Sequence, residues 1–153
     1  MRDPTRRFIE SPALLALALG ILALVVRVVD LGGIPPGLHH DEAWNGLDEL
    51  QISWTNHPVF FPNSNGREPL FFYMQLVSLM LLGHNAVALR ATSAVIGAAT
   101  VSLSFYLGRA LARSTAVGVV TGVLLAFSFW HILDSRLGYR AILQPAMELS
   151  LIH

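Results

Sequence analysis

The sequence predicts an all-α, multispanning integral membrane protein with about three transmembrane helices and short juxtamembrane helices in its first outer loop. Apolar residues make up 54% of its 153 residues and charged residues only 13%, whereas an ordinary soluble domain has about 25% charged residues. Residues 91–108 and 114–133 carry no charge. About 18 apolar residues are enough to cross the hydrocarbon core of a bilayer, so such stretches are typical of membrane spans.

Charge and cysteine content exclude several classes of protein. Ten arginines balance ten acidic residues, and the chain has no lysine. It therefore lacks the basic surface of a nucleic-acid-binding protein, and we expect no nucleic acid among its partners. With no cysteine, it has no disulfide framework, zinc ribbon or thiol nucleophile.

The first span is predicted at residues 12–31. Arg2, Arg6 and Arg7 precede it, and the positive-inside rule places them in the cytoplasm. A cleaved signal peptide is the alternative, but the apolar run exceeds the usual 7–15 residues and ends in a poor cleavage site. Arg27 lies near the outer end of this span, where its long side chain is expected to extend to the interface.

Residues 31–86 are predicted to form the outer loop. Its first part, 31–68, is rich in glycine and proline and holds five of the ten acidic residues. Apolar residues at helical spacing predict a short amphipathic helix near 41–54, whose tryptophans suit a membrane interface. The apolar segment 69–82 has 14 residues, which is short for a span, so it is predicted to be interfacial or re-entrant. If this segment crossed the membrane instead, every later loop would lie on the opposite side of the membrane from the one predicted here.

Two further spans are predicted near 87–110 and 115–134. The turn between them carries Arg109 and Arg113, which fits a cytoplasmic position, and the residues after 134 then lie outside. Small residues in 91–108 predict a helix that packs closely against its neighbours. A last apolar segment begins near 141 and continues to 153, so we expect another span that is cut short and a chain that is an incomplete fragment.

The first group that could carry chemistry is His40, Asp41 and Glu42 in the outer loop. Asp41 could simply cap the predicted helix, since aspartate is a preferred N-cap and acids favour a helix N-terminus. It could also act as a general base held at the membrane surface. Histidine and acid side chains can bind a divalent metal, although no established ligand spacing is present.

The second group consists of Arg67 and Glu68, followed by Pro69. A proline with glutamate before it is typical of a helix start. Alternatively, Arg67 binds phosphate at the mouth of a site. The third group is Arg136 and Arg140, four residues apart and therefore on one face of a helix. They are either boundary charges or, if they lie outside, a clamp for an anionic headgroup.

Taken in order, these segments resemble a known family. The chain is similar to the N-terminal part of GT-C glycosyltransferases, over roughly residues 12–150. The closest groups are family 39, with the protein O-mannosyltransferases and the aminoarabinose transferase of lipid A, and the bacterial Rgt-like domain. The residues that carry the resemblance are the basic start, Arg27, Pro35 to Ala43, Gly66 to Tyr73, Ala88 to Ala94, Tyr106 to Arg109 and Phe129 to Arg136.

The resemblance implies a multipass enzyme of the plasma membrane, acting in cell-envelope glycan or lipopolysaccharide synthesis or in a reaction like protein O-mannosylation. It would move a hexose or pentose from a polyprenyl-phosphate donor to a hydroxyl of a lipid, glycan or protein on the extracytoplasmic side. Asp41 matches the loop aspartate of the family that acts as base, with Glu42 beside it. Some relatives have a lysine or a metal-binding glutamate just before the proline that corresponds to Pro69, where this chain has Arg67 and Glu68.

The expected chemistry is an inverting displacement at the anomeric carbon. A single base deprotonates the acceptor, and cations stabilise the leaving phosphate. We expect Arg67, Arg136 and Arg140 to bind that phosphate, with His40 and Glu68 as possible metal ligands. As a fragment, the chain is expected to be inactive alone. The alternatives are a small non-catalytic interaction protein of the membrane and a transporter fragment, which would place its charges near the bilayer midplane at broken helices.

Overall fold

The computed structural model describes residues 11–53, 55–62 and 67–151, and these residues are all-helical, as the sequence predicts. Within these ranges there is no strand, only two isolated bridges, Ser53 to Asn56 and Phe61 to Arg67. A short 3₁₀ turn, Arg140–Ile142, leads into the last helix. The helices are α1 Pro12–Val28, α2 His40–Glu49, α3 Leu70–Leu82, α4 Ala86–Ala112, α5 Thr115–Ala126, α6 Phe129–Arg136 and α7 Leu143–Leu151.

Helix α4 is the centre of the fold. The Asn85 side chain caps it by accepting a hydrogen bond from the Ala88 amide, and it ends where Arg113 adopts a left-handed conformation. It contacts α1, α3, α5, α6 and α7. Small residues within 91–108 allow these close contacts, as the sequence predicts. A Cβ at Gly108, for example, would lie only 3.4 Å from the Cα of Gly118 in α5. The main core lies between α1, α4 and α5 and contains Ala16, Leu19, Ala23, Ala98, Val101, Phe105 and Ala126.

Among the described helices, only α4 is by itself long and apolar enough to cross a membrane. Its 27 residues extend about 40 Å at 1.5 Å per residue, against a hydrocarbon core of about 30 Å. Helices α5 and α6 are long and apolar enough only if they are counted together as one bent span. Helices α1 and α3 are apolar but shorter. The number of about three spans stays a prediction.

The segment predicted as one straight span, 115–134, is instead two helices. Helices α5 and α6 meet at a bend of 57°. The Arg27 guanidinium of α1 is fully buried at this break, where Nη1 donates to the carbonyls of Ala23 and Ala126 and Nη2 lies 2.7 Å from His131 Nδ1. The last carbonyls of a helix lack partners within it, and a buried arginine supplies one here. The expectation that Arg27 extends to the interface is therefore wrong.

The amphipathic helix is shorter than its predicted range of 41–54. Helix α2 ends at Glu49, and residues 50–52 continue as a turn in which Ile52 donates to the Glu49 carbonyl. The Asn56 side chain closes this turn by donating to the Gln51 carbonyl over 2.7 Å. A turn held by its own hydrogen bonds replaces the last helical turn. Trp54 lies outside the described residues, as do Arg2, Arg6, Arg7 and Gly66.

Candidate active site

The start of α2 fixes the position of Asp41. His39 is the N-cap: its Nδ1 accepts from the Asp41 amide at 3.3 Å, and its own amide donates to Glu42 Oε2 at 2.8 Å. These reciprocal bonds form a capping box. Asp41 therefore lies in the first helical turn and is not the capping residue. Its carboxylate is half exposed, so it is accessible to a substrate.

Glu42, in contrast, is fully buried. It accepts hydrogen bonds from Arg90 Nε at 2.7 Å, from the His39 amide and from the Gly138 amide at 3.0 Å. Burial would raise the pKa of Glu42, but the hydrogen bonds from Arg90 and the two amides, with the charge of Arg90, outweigh it and lower the pKa. Glu42 is thus an ionised structural acid that joins α2 to α4 and to the turn after α6.

Arg90 completes this connection. Beyond Glu42, its guanidinium donates to the carbonyls of Leu31 and Pro35 at 3.0 Å and of Gly37 at 2.5 Å. It is fully buried, and a buried charge requires such partners. Arg90 therefore fixes the segment that leads into α2, and so helps to position Asp41.

Arg67 lies against Asp41. It is buried; its Nη1 donates to Asn45 Oδ1, and its Nη2 lies 3.3 Å from Asp41 Oδ1. The Asn45 amide donates in turn to the Gly138 carbonyl at 2.7 Å. Arg67 is thereby held in place by α2, while the Phe61–Arg67 bridge holds its backbone.

Three of the predicted site residues line one cavity of about 190 Å³: Asp41, Arg67 and Arg140. They come from the start of α2, the segment before α3 and the turn after α6. Asn45, Tyr139 and Ala141 complete the lining. One carboxylate and two guanidinium groups thus meet in a small polar cavity.

A second cavity adjoins the first. It measures about 780 Å³ and shares Arg140 and Ala141 with the polar cavity. Its other lining residues are Glu68, Leu70, Leu143, Gln144, Met147, Glu148 and Leu151. Arg140 lies at the junction, and its Nη1 donates to Glu68 Oε2. The pair of cavities can accept a molecule with an anionic head and an apolar tail.

Arg136 lies away from these cavities. Its guanidinium donates to four main-chain carbonyls at the end of α1 and in the loop that follows, those of Val26, Arg27, Asp30 and Ile34. It is buried at 7% exposure. The carbonyls of Val26 and Arg27 belong to the last turn of α1, where helical partners are absent, and those of Asp30 and Ile34 lie in the loop that follows. Arg136 therefore anchors α1 and this loop to α6.

The residues considered for a metal do not come together. His40 Nε2 accepts from Trp44 Nε1 at 2.9 Å, and Glu68 pairs with Arg140. The part of the chain that the structure describes contains no group of three or more histidine or acidic side chains that could hold a metal ion. Among the described residues, His40 and Glu68 thus do not share a metal-binding group, and a metal site stays a prediction.

Asn45 and Tyr139 were not identified from the sequence. Asn45 is four residues after Asp41 and so shares its helix face, which is a signal that could have identified it. The Tyr139 hydroxyl lies 2.6 Å from His39 Nδ1. Burial, followed by the charges of Asp41, Glu42 and Asp134, raises the pKa of Tyr139, so it stays a neutral phenol that can donate a hydrogen bond.

Comparison of the chain with protein-family models, with curated proteins and with solved structures returned no match.

Proposed function

We propose that this chain belongs to a membrane glycosyltransferase of the GT-C type. It moves a sugar from a polyprenyl-phosphate donor to a hydroxyl of a lipid, glycan or protein at the extracytoplasmic face of the plasma membrane. The observation that carries the proposal is the cavity in which Asp41 meets Arg67 and Arg140. The resemblance of the sequence to that family also supports it.

In the proposed reaction, Asp41 is the general base. It removes the proton of the acceptor hydroxyl while the hydroxyl oxygen forms a bond to the anomeric carbon of the sugar. The bond between that carbon and the phosphate oxygen breaks, and its electron pair leaves with the phosphate. Direct displacement inverts the anomeric configuration. Asp41 is suited to this role because its carboxylate is half exposed and is not used as a helix cap.

Arg140 and Arg67 stabilise the leaving phosphate in this proposal. Guanidinium groups bind phosphate through paired hydrogen bonds, and cations fixed in place before the reaction stabilise developing negative charge. Glu42 and Arg90 act as positioning residues, whereas Arg136 only holds helices together. The larger cavity supports a lipid-linked donor, because Leu143, Met147 and Leu151 line it beside Arg140.

Replacing Asp41 by asparagine tests the proposal. The full-length protein is reconstituted in proteoliposomes with undecaprenyl-phosphate-linked hexoses and pentoses, and transfer to added acceptors is measured. We expect Asp41→Asn to lower the rate by roughly 10²–10⁴-fold, the typical contribution of a general base. Transfer by Asp41→Asn at the wild-type rate would show that Asp41 is not the base.

Asp30→Asn is the matched control. It makes the same charge change in the neighbouring loop, and Asp30 has a left-handed backbone (φ 48°), which asparagine tolerates. We expect it to transfer at the wild-type rate.

A second candidate, a transporter fragment, is favoured by one observation. The break between α5 and α6 has a buried arginine beside it, and transporters place charged groups at broken helices. In this chain, however, Arg27 already donates to Ala126 and His131. Solute uptake by the same proteoliposomes, without any sugar transfer, would favour the transporter.

A further inference from the structure

The two arginines of the polar cavity are held in different ways. The side chain of Arg67 is only 9% exposed and is fixed by Asn45 and Asp41. The side chain of Arg140 is 39% exposed, and the carboxylate of Glu68 that it contacts is 63% exposed. Arg67 is therefore part of a rigid wall, whereas Arg140 and Glu68 form an ion pair in contact with solvent.

The position of this pair is the second part of the argument. Arg140 lines both cavities, while Glu68 lines only the larger one. A donor whose apolar tail lies along Leu143 and Met147 would bring its phosphate to Arg140 from the side on which Glu68 lies. The phosphate and the Glu68 carboxylate are both acceptors for the same guanidinium edge.

We propose that Glu68 is an internal competitor of the donor phosphate: its carboxylate occupies Arg140 until the phosphate replaces it. The proposal rests on the proposed function, since it concerns the same donor site. Glu68 is then a specificity-determining residue, neither a metal ligand nor a base. A neutral lipid could not displace the carboxylate, so the pair selects for an anionic headgroup.

The exchange is physically reasonable because exposed ion pairs are weak. A phosphate presents several oxygens that accept paired hydrogen bonds from a guanidinium, so it can replace a carboxylate that is only weakly held. No covalent bond is made or broken and no proton moves. The Arg140 guanidinium exchanges one hydrogen-bond acceptor for another, and the Glu68 side chain rotates out towards the solvent. The free energy needed to separate Glu68 from Arg140 is small, and it lowers the affinity for the donor by the same amount.

The test measures binding of undecaprenyl phosphate, which carries no sugar, to the full-length protein in nanodiscs. We expect Glu68→Gln to lower the Kd by roughly two- to fivefold, the range for an exposed pair, and to lower KM for the donor equally with kcat unchanged. Glu148→Gln is the matched control, because Glu148 lines the same cavity but bonds to Gln144. Its loss of one negative charge should change the Kd clearly less than Glu68→Gln does.

A double variant isolates the pair. In an Arg140→Gln background, Glu68→Gln should have no effect on the Kd, because the contact in question is already absent. The proposal would be overturned if Glu68→Gln alone left the Kd unchanged or raised it. It would also be overturned if Glu148→Gln lowered the Kd as much as Glu68→Gln. Binding without sugar also separates it from the proposed function: if wild-type protein transfers no sugar yet Glu68→Gln tightens phosphate binding, only the proposed reaction fails.

Discussion

Arg136 and Arg140 are four residues apart, but their side chains have different partners. Arg136 donates to four carbonyls around the end of α1, and Arg140 contacts Glu68 at the larger cavity. We expect Arg136→Lys to lower the unfolding temperature while folded protein keeps its transfer rate, because one ammonium cannot reach all these carbonyls. Thermal unfolding and transfer kinetics, measured on the same preparations, check this.

Arg140→Lys should give the opposite pattern. It keeps the charge, and with it any effect on topology, but loses the paired hydrogen bonds to phosphate. We expect transfer efficiency to fall by roughly ten- to a hundredfold, the loss of one charge-assisted bond, with no change in unfolding temperature. If Arg140→Lys matched wild type in transfer, Arg140 would be only a boundary charge.

Glu49 makes the stability of α2 depend on pH. Its carboxyl is buried, and neither of its oxygens has a hydrogen-bond partner in the described part of the chain. Burial, with a smaller effect of Asp48, raises the pKa from 4.5 to about 8. Below pH 4.5 the folded and unfolded states are both protonated and there is no penalty. As the pH rises from 4.5 to 8, the unfolded state releases its proton first, so stability falls across this window.

Glu49→Gln should therefore stabilise the protein increasingly from pH 5 to pH 8 and hardly at pH 4. Glutamine has a similar shape and no charge, and the gain is on the order of a few kcal/mol at most. Thermal unfolding at a series of pH values in detergent measures it. The exposed Glu148→Gln is the control. A stability difference that does not vary with pH would contradict a raised pKa for Glu49.

At the scale of helices, the break between α5 and α6 shows what sequence patterns omit. Residues 114–133 carry no charge and contain no proline, so the pattern predicts a continuous helix. The bend coincides with the carbonyl of Ala126, which accepts from Arg27, 99 residues away. A partner that distant in the sequence depends on the tertiary fold. Local propensity therefore could not have located the bend.

Helix α3 decides the topology of everything that follows it. Its 13 residues extend about 20 Å, too short for the hydrocarbon core, so we expect it to stay on the outer side. Cysteines can be introduced singly because the chain has none. A membrane-impermeant thiol reagent should label a cysteine at His57 or Ala141 but not at Ala112, all three of which are exposed in the fold.

The choice of Ala141 follows from the structure. Gly138 would be the obvious site in that turn from the sequence, but a Cβ there would lie 3.0 Å from the Leu89 carbonyl oxygen and 3.2 Å from Gln75. A cysteine at Gly138 would disturb the fold and react poorly. Labelling at position 112 together with protection at 141 would mean that α3 crosses the membrane.

Across the whole molecule, composition predicted the helical class, and local motifs predicted part of the site. Asp41, Arg67 and Arg140 were identified because each residue type suits the transfer of a sugar from a phosphate, and the fold places them in one cavity. Glu42 carries a carboxylate like Asp41, and Arg136 a guanidinium like Arg140, but both side chains are buried and bonded within the fold. Which acid or arginine is exposed depends on partners such as Arg90, 48 residues from Glu42. The sequence alone does not provide such pairings.

The partners of Glu42 also set an order for assembly during synthesis. When α2 leaves the ribosome, Arg90 is 48 residues and Gly138 is 96 residues further along the chain. Before Arg90 is made the Glu42 carboxylate has no cation, and before Gly138 is made it lacks the later amide, so burying it earlier would leave it incompletely paired at a cost. The segment around Asp41 can therefore close only after α6 has been translated. A ribosome stalled before residue 138 would hold a nascent chain whose α2 is still open to proteases.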